Sequence, residues 1–248
     1  MKKVFIFLGF LTTISCANHK FKKSGALKTK SKIENIKSKE KEILFIPMEK
    51  YHIGRIEYYE DLRNKIDSLQ KLNYTVFYEG VTLEDKKKDS TTNKISLLKF
   101  RKIVDFFPLR NKGNLDIANN IIRGKFKYKG KHKLLNQPKY KQLKIDSLNS
   151  LRADVSIAEM IINFEENYEE IRLGSCDYET NFTEIYKCKK SKRSLRKKFR
   201  QKSIVDFRNK YLAEKINSSI KNKILVVYGG AHLIGLKYEL QLLERNYD

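Results

Sequence analysis

A histidine follows a glycine pair near the end of the chain, at the point where a strand pattern gives way to a helix pattern. The apolar run 224–228 (ILVVY) predicts a strand that is buried on both faces. Gly229 and Gly230 then carry no side chain, so a ligand or another backbone can approach closely and φ can be positive. His232 follows after one alanine, at the carboxyl end of the strand, where open α/β sheets bind ligands. The other interpretation is a tight turn followed by a surface or core histidine.

A similar order of residues occurs near the front of the chain. The apolar run 43–47 (ILFIP) precedes His52, and a helical pattern continues as far as Leu72. Strand, histidine and helix therefore recur at both ends of the chain, as a weak internal repeat of one βαβ-type unit. The repeat predicts that His52 and His232 occupy equivalent positions.

Two acidic residues are expected at the same edge of the sheet. The run 74–78 (YTVFY) predicts a second strand, and Glu79 ends it. Because parallel strands point the same way, Glu79 should emerge on the edge that carries His52. A short strand predicted over 151–155 delivers Asp154 to a turn. The alternative is that Asp154 is an ordinary turn residue.

An arginine is expected on or beside an apolar helix face. Ser203 and Asp206 have the spacing of a capping box, which predicts that a helix begins there. Ile204 and Leu212 belong to the apolar face of this helix, and Arg208 lies four residues from each. A buried guanidinium needs an anionic partner or a hydrogen-bonded ligand. The alternative is an arginine that extends along the edge of the face into solvent.

These side chains together have the chemistry of a hydrolytic site. His52, His232 and Glu79 are the candidate ligands of a divalent metal such as manganese, cobalt or zinc. The metal would lower the pKa of bound water, with Glu79 or Asp154 as ligand or general base and Arg208 holding a carboxylate or an oxyanion. Without a metal or other cofactor, His52 or His232 would be the base and Glu79 its orienting partner.

Sequence motifs of the commoner enzyme classes are missing. The chain has no HExxH, GxSxG, P-loop or CxxC motif, which argues against the usual zinc peptidases, serine hydrolases, nucleotide-binding proteins and thiol oxidoreductases. Any hydrolase activity must therefore come from a less common arrangement of residues.

The chain is strongly basic, with a formal net charge of +24. Lysine is spread through almost every segment, which is typical of solvated surfaces. One block is denser, because residues 187–202 carry ten basic side chains and no acidic one. The block is either a solvated helix face or loop, or a contact for acidic lipid headgroups or polyanions. Nucleic acid is not expected as a partner, since no recognition module accompanies the block.

The first sixteen residues are predicted to be a targeting segment. Lys2 and Lys3 precede the short apolar run 4–11, and Cys16 follows a few small or uncharged residues. This order resembles a bacterial lipoprotein signal, whose cleavage would leave Cys16 as a lipidated N-terminus. Membrane attachment in the cell envelope, at the outer membrane, is the localisation that this resemblance implies. The alternatives are an ordinary signal peptide or a short anchor, and all three export the chain.

The remaining chain is predicted to hold one tether and one domain. Residues 17–41 are rich in lysine and serine and have no apolar period, so they are expected to be a flexible tether. Residues 42–248 are expected to form one α/β domain with a mixed, mainly parallel sheet and flanking helices. In an exported chain, Cys176 and Cys188 are expected to form a disulfide bond.

The constellation His52, Glu79, Arg208-Asn209 and Gly229-x-x-His232 resembles the TraB/GumN/TIKI superfamily. The resemblance implies an α/β fold, and some members of the family are described as metal-dependent proteases. Gln137, in NQPKY, and Asp154, in RADVS, also resemble family positions. One departure is Glu49, which stands three residues before His52 where the first GxxH motif has glycine.

The resemblance implies an exported, lipid-anchored hydrolase that acts on a peptide or ester bond. Its substrate would be a peptide or a small molecule, and its partner the bacterial membrane, through the N-terminal lipid. The intact second motif and the placement of Glu79 favour this hypothesis. Glu49 favours the alternative, a catalytically inactive lipoprotein of the same fold that binds a ligand or an envelope partner.

Overall fold

Three apolar runs of the sequence form neighbouring parallel strands at the centre of one sheet. The computed structural model describes residues 25–49, 51–104, 114–122, 126–184 and 186–245. The three central strands are β2 (Glu42–Met48), β4 (Thr75–Tyr78) and β10 (Lys223–Gly229). The last strand in the sequence, β10, lies between the other two and is parallel to both.

Two further strands complete this sheet. Strand β1 (Glu34–Ile36) pairs antiparallel with β2, and β9 (Ser150–Arg152) pairs parallel with β4. The order is β1-β2-β10-β4-β9, so the sheet is mixed and mostly parallel. The predicted α/β fold class is confirmed. Gly229 pairs with Met48, and Val227 pairs with Tyr78, so the carboxyl ends of the three central strands lie at one edge.

Helices cover both faces of the sheet. One face packs on α6 (Arg208–Asn217) and α7 (Leu233–Arg245), through buried side chains that include Leu212 and Leu236. The other face packs on α1 (Ile56–Lys71), through Tyr58, Leu62 and Ile66. The remaining described helices are α2 (Ser90–Val104), α3 (Ile157–Asn167), α4 (Ser175–Glu179) and α5 (Arg193–Phe199). None of the helices that the structure describes is long and apolar enough to cross a membrane.

The helix that carries Arg208 begins earlier than the sequence predicted. Helix α5 leads into a π-helical stretch, Arg200–Phe207, which leads directly into α6. Ser203 therefore lies inside the helix, fully buried, and the predicted capping box at Ser203 and Asp206 is wrong. Leu195 and Phe199 explain the earlier start, because they lie on one face of α5 and pack in an apolar cluster with α2 and α3. The spacing of Ser156 and Glu159 also predicts a capping box, and this prediction is confirmed because the box begins α3.

The middle of the chain forms short strands. Strand β3 (Ile53–Arg55) pairs with β8 (Leu134–Asn136), and β5 (Leu115–Asp116), β6 (Ile121–Ile122) and β7 (Phe126–Lys127) form a small separate sheet. The sequence predicts a helix near 115–122, and the structure shows that this prediction is wrong. A turn replaces it, because Asp116 accepts hydrogen bonds from Asn119 and Asn120 has a left-handed backbone with φ of 53°.

The described part of the segment predicted as a tether packs on the domain. Ala26 and Ile36 are buried, and the backbone N–H and hydroxyl of Ser31 both donate to Asp61 at 2.8 Å. The domain boundary predicted at Glu42 is thus too late, because β1 belongs to the sheet. Cys16, the rest of the predicted signal and residues 17–24 lie outside the described residues.

The predicted disulfide bond between Cys176 and Cys188 is present. Arg101 lies against the loop that this disulfide bond closes, and its side chain is almost fully buried. Its guanidinium donates to the backbone oxygens of Asp177 (2.8 Å) and Asn181 (3.0 Å). The disulfide bond closes the loop, and this arginine attaches it to α2.

Candidate functional site

Arg208 brings two acidic side chains together at the carboxyl edge of the sheet. Asp154 follows β9 and Glu79 follows β4, two neighbouring parallel strands, so both carboxylates leave the same edge. Arg208 comes from the first turn of α6, directly after the π-helical stretch. Its side chain is 5% exposed, and that of Asp154 is 0% exposed. The structure therefore brings these three predicted site residues together.

Asp154 is bound from three sides. Arg208 donates to it twice, from Nε to Oδ1 at 2.9 Å and from Nη2 to Oδ2 at 2.7 Å. The backbone N–H groups of Gly80 and Val155 each donate to it at 2.9 Å. Burial alone would raise the pKa of Asp154, but the hydrogen bonds and charge of Arg208 outweigh it, so the pKa is lowered. Asp154 is thus an ionised residue that orients Arg208.

Glu79 is the more accessible of the two carboxylates, with a side chain that is 17% exposed. Its Oε1 accepts from Nη2 of Arg208 at 2.6 Å, and its Oε2 accepts from the backbone N–H of Gly229 at 2.8 Å. Burial would raise the pKa of Glu79, but the charge of Arg208 holds it below its ordinary value. Glu79 is therefore ionised at neutral pH and lies at the opening of the cluster.

His232 contacts the same guanidinium from the other side. Nδ1 lies 2.8 Å from Oδ1 of Asn209, an acceptor, so Nδ1 carries the proton and donates. Nε2 keeps its lone pair and lies 3.3 Å from Nη1 of Arg208, which donates to it. Burial, followed by the positive charge of Arg208, lowers the pKa of His232 to about 4. The imidazole is therefore neutral at neutral pH.

Tyr228 closes the inner side of the cluster. Its ring is fully buried and stands edge-on to that of His232, with ring centroids 5.0 Å apart. The guanidinium carbon of Arg208 lies 5.3 Å from the centre of the same ring. Burial raises the pKa of Tyr228, so its hydroxyl stays protonated and can donate. We name Glu79, Asp154, Arg208, His232 and Tyr228 the arginine cluster.

The glycine pair gives the site space rather than an unusual backbone. Gly229 has φ of −53°, and Gly230 is not among the residues with positive φ, so that part of the prediction is wrong. A Cβ on Gly229 would lie 3.2 Å from Oε2 of Glu79 and 3.5 Å from Cδ2 of His232. A Cβ on Gly230 would lie 3.2 Å from that of Pro47. Glycine at 229 therefore lets the carboxylate and the imidazole approach the end of the strand.

His52 has a different partner from His232. Its Nδ1 lies 2.7 Å from Oε1 of Gln137, and its backbone oxygen accepts from the N–H of Gln137 at 2.8 Å. The backbone of His52 has φ of 52°, an uncommon left-handed conformation for a histidine. It precedes the short strand β3, whereas His232 leads directly into α7. The two histidines are therefore not structurally equivalent, contrary to the internal repeat.

Glu49 is turned away from the arginine cluster. Its carboxylate is buried against Gly25, where any Cβ would overlap it, and forms an ion pair with Lys28 at 3.4 Å. Burial raises the pKa of Glu49 despite this lysine. The side chain that departs from the GxxH pattern thus holds the N-terminal segment against the domain.

The predicted metal ligands are bonded to protein groups. Among the residues described, no group of three or more His, Cys, Asp or Glu side chains is placed to hold a metal ion. Both oxygens of Glu79 are hydrogen-bonded, and the guanidinium of Arg208 faces Nε2 of His232. A divalent ion between Glu79 and His232 would have to displace this guanidinium. The predicted ligands His52, His232 and Glu79 are therefore not arranged to bind a metal ion unless Arg208 moves. Metal binding stays a prediction.

Sequence reasoning did not assign roles to three residues near these groups. Asn209 orients His232, and Tyr228 packs on both His232 and Arg208. Tyr140 packs on Tyr78 with ring centroids 4.6 Å apart, and burial followed by the charge of Glu79 raises its pKa. The Arg-Asn pair was a signal for Asn209. The tyrosines had none, because Tyr228 lies in an apolar run, where tyrosine is typical of any core, and Tyr140 lies between two lysines.

Comparison of the chain with protein-family models, with curated proteins and with solved structures finds no match to any of them.

Proposed function

We propose that this chain is an exported, lipid-anchored hydrolase of the TraB/GumN type, acting on a peptide or ester bond at the arginine cluster. The observation that carries the proposal is the contact of Arg208 with two ionised carboxylates and a neutral imidazole at the carboxyl edge of parallel strands. Four separate segments of the chain supply these groups. Burial of these charged groups costs desolvation energy, and burial of apolar side chains does not have this cost. Such buried charged clusters are typical of functional sites, and in α/β folds ligands bind at this edge of the sheet.

Glu79 is the group that meets the substrate. It is ionised and more accessible than Asp154 or Arg208, so it can accept a proton from an attacking water molecule. The second carboxylate, Asp154, acts against the lowering of the Glu79 pKa by Arg208. A lowered pKa makes Glu79 a weak base, and the hydrogen bond from Gly229 keeps it oriented.

Arg208 stabilises negative charge, and its neighbours hold it in place. A planar guanidinium bound at two positions by Asp154 has little freedom, so its positive charge is preorganised for a developing oxyanion. His232 stays neutral and accepts from Nη1, which keeps the guanidinium plane fixed on that side. Asp154 and His232 are in this proposal positioning residues for Arg208.

Export and lipid anchoring belong to the same proposal. The disulfide bond between Cys176 and Cys188 supports an oxidising compartment, where such bonds persist. Lys2, Lys3 and the apolar run before Cys16 support a lipoprotein signal. Labelling cells with radioactive palmitate tests this part: the wild-type chain should carry label in the membrane fraction, and Cys16→Ser should carry none. Equal labelling of both chains would contradict the anchor.

The activity is tested with the full-length chain in mild detergent. A panel of chromogenic short-chain esters and fluorogenic peptides is assayed with a chelator and with manganese, cobalt or zinc. Wild type is compared with Glu79→Gln, which removes the charge and keeps the shape. The matched control is Glu166→Gln, at an exposed position of α3 far from the edge.

The proposal predicts turnover that Glu79→Gln lowers by about a hundredfold or more, the scale of a lost general base, while Glu166→Gln has no effect. Turnover that depends on an added metal would show that Arg208 moves aside for an ion. If wild type cleaves nothing under any condition, the hydrolase proposal fails. The inactive ligand-binding lipoprotein would then be the better hypothesis.

A further inference from the structure

The basic segment, residues 187–202, is a second charged feature that the arginine cluster does not use. It carries ten basic side chains and no acidic one. It runs from the disulfide-closed loop into α5 and the first residues of the π-helical stretch. The segment is far denser in charge than the scattered lysines elsewhere in the chain.

The segment is attached to the domain at several points. Cys188 is bonded to Cys176 and is only 6% exposed. Leu195 and Phe199, one turn apart on α5, are 8% and 1% exposed in the apolar cluster with α2 and α3. The basic segment is therefore a fixed surface of the protein and not a loose tail.

This anchoring directs the charges outward. Because Leu195 and Phe199 face the core, the opposite face of the helix carries Arg193, Lys197 and Arg200, spaced by four and three residues. All three are exposed, and so are Lys189 and Lys192 on the approach to the helix. A rigid row of cations therefore faces solvent.

No ion pair among the described residues includes Lys189, Lys192, Arg193 or Lys197, unlike many other cations of the protein. By contrast, Lys65 and Lys99 pair with Asp61 and Glu165 at 2.8 and 2.7 Å. The self-repulsion of such a row is relieved only by counter-ions or by an anionic partner.

One exposed tyrosine contacts the basic segment, and a second lies on the adjoining disulfide-closed loop. Tyr168 is 41% exposed, and Nζ of Lys198 lies 5.2 Å from the centre of its ring. Tyr178 is 59% exposed on the disulfide-closed loop. Tyrosine has an apolar body and a polar tip, a combination that suits the headgroup layer of a bilayer.

We propose that the basic segment docks the protein on an anionic lipid surface, with Arg193, Lys197 and Arg200 facing the headgroups. Lysine and arginine near a charged bilayer add attraction without any specific fit, which suits a row on a short helix. Base reading by nucleic-acid-binding helices uses amide side chains as well, and the segment's amide, Gln201, is bonded to Asp206 at 2.7 Å. The docking does not depend on the proposed hydrolase activity.

Vesicle flotation of the full-length chain tests the proposal. Binding is measured on vesicles of phosphatidylcholine alone and of phosphatidylcholine mixed with phosphatidylglycerol, and the ratio of the two partition coefficients is the readout. Any contribution of the apolar N-terminus is the same for each chain and cancels between variants. The test variant is Lys189→Gln with Arg193→Gln, Lys197→Gln and Arg200→Gln. The matched control removes four exposed lysines elsewhere, as Lys87→Gln with Lys94→Gln, Lys129→Gln and Lys141→Gln.

At low salt, the ratio of partition coefficients for wild type should be at least about tenfold higher than for the test variant. The control variant should have a ratio close to that of wild type. Added salt should abolish the difference, because it screens exposed charges. Equal losses in the two variants would overturn the proposal, since total charge alone would then explain binding. Tighter binding of wild type to duplex DNA than to anionic vesicles, lost in the test variant, would also overturn it in favour of a nucleic-acid surface. Far-ultraviolet circular dichroism confirms that each variant is folded.

Discussion

Arg208 donates two parallel hydrogen bonds to Asp154, from Nε to Oδ1 and from Nη2 to Oδ2, at 2.9 and 2.7 Å. This pair joins the start of α6 to the turn after β9 across a fully buried contact. The same Nη2 also reaches Glu79, so one guanidinium balances two carboxylates. Stability and the proposed hydrolase activity should therefore depend on the same side chain.

Loss of the guanidinium should strongly destabilise the protein. Arg208→Met leaves Asp154 and Glu79 buried without a counter-charge, and we expect the free energy of unfolding to fall by about 3–5 kcal/mol. Urea denaturation measures it. The control is Arg172→Met, because Arg172 pairs with Glu170 at 3.0 Å on the surface and is 87% exposed. That change should cost less than about 1 kcal/mol. Similar losses in both variants would contradict the account of the cluster.

His232 should make stability fall between about pH 6.5 and pH 4. Burial and then Arg208 lower its folded-state pKa to about 4, whereas the unfolded ring has a pKa near 6.5. The unfolded chain thus binds a proton in this range and the folded one does not, so stability is fully present above pH 6.5 and declines as pH falls. The expected loss by pH 4.5 is about 2–3 kcal/mol.

The pH effect is measured as a difference between wild type and His232→Gln. Glu49 titrates with the opposite sign, because its raised pKa lets the folded state bind a proton first. The contribution of Glu49 is the same in both chains and cancels in the difference. The pKa values of Glu79 and Asp154 are lowered, so the stability that these carboxylates contribute is lost at lower pH. The control variant is His132→Gln, because His132 is not part of the arginine cluster. A pH dependence unchanged in His232→Gln would show that His232 is not the group responsible.

Gly235 is predicted to be intolerant of a methyl group. A Cβ there would lie 2.9 Å from Cγ of Asn209 and closer still to Nδ2, so Gly235→Ala must displace the amide that holds His232. Alanine normally stabilises a helix interior relative to glycine by about 0.5–1 kcal/mol, so a net destabilisation would be diagnostic.

Thermal denaturation and hydrolysis assays check this variant together. Gly235→Ala should lower the melting temperature and the turnover. Gly174→Ala is the control, because the nearest atom to a Cβ there is 4.0 Å away. A Gly235→Ala protein that is as stable and active as wild type would mean that Asn209 does not position His232.

Reduction of the disulfide bond should cost about 3 kcal/mol. The bond closes a loop of twelve residues, and chain entropy in the unfolded state sets this scale. We expect dithiothreitol to lower the urea midpoint of wild type to that of Cys176→Ser with Cys188→Ser. The reductant should leave the double variant unchanged. No shift in wild type would show that Arg101 and its contacts hold the loop without the bond.

Much of the fold could be predicted because apolar runs and caps are local signals. The runs 43–47, 74–78 and 224–228 all form strands, and the capping box at Ser156 begins α3. The predicted helix near 115–122 failed because the turn chemistry of Asp116 and Asn119 outweighs the apolar pattern. The predicted tether was wrong because lysine dominates residues 17–41, and Ile36, the one buried residue of β1, gives no apolar period.

Residue types and spacing determined which groups of the site exist: a glutamate and an aspartate after strands, a histidine after a glycine pair, and an arginine on an apolar helix face. These follow from local periodicity, which a sequence carries directly. Only the tertiary structure decided their partners. Strand β10 enters between β2 and β4, which sets His232 and Glu79 on either side of Arg208, while His52 bonds to Gln137. Strand order and helix packing are non-local, so the sequence pattern predicted a metal ligand set at a position where the fold places a guanidinium.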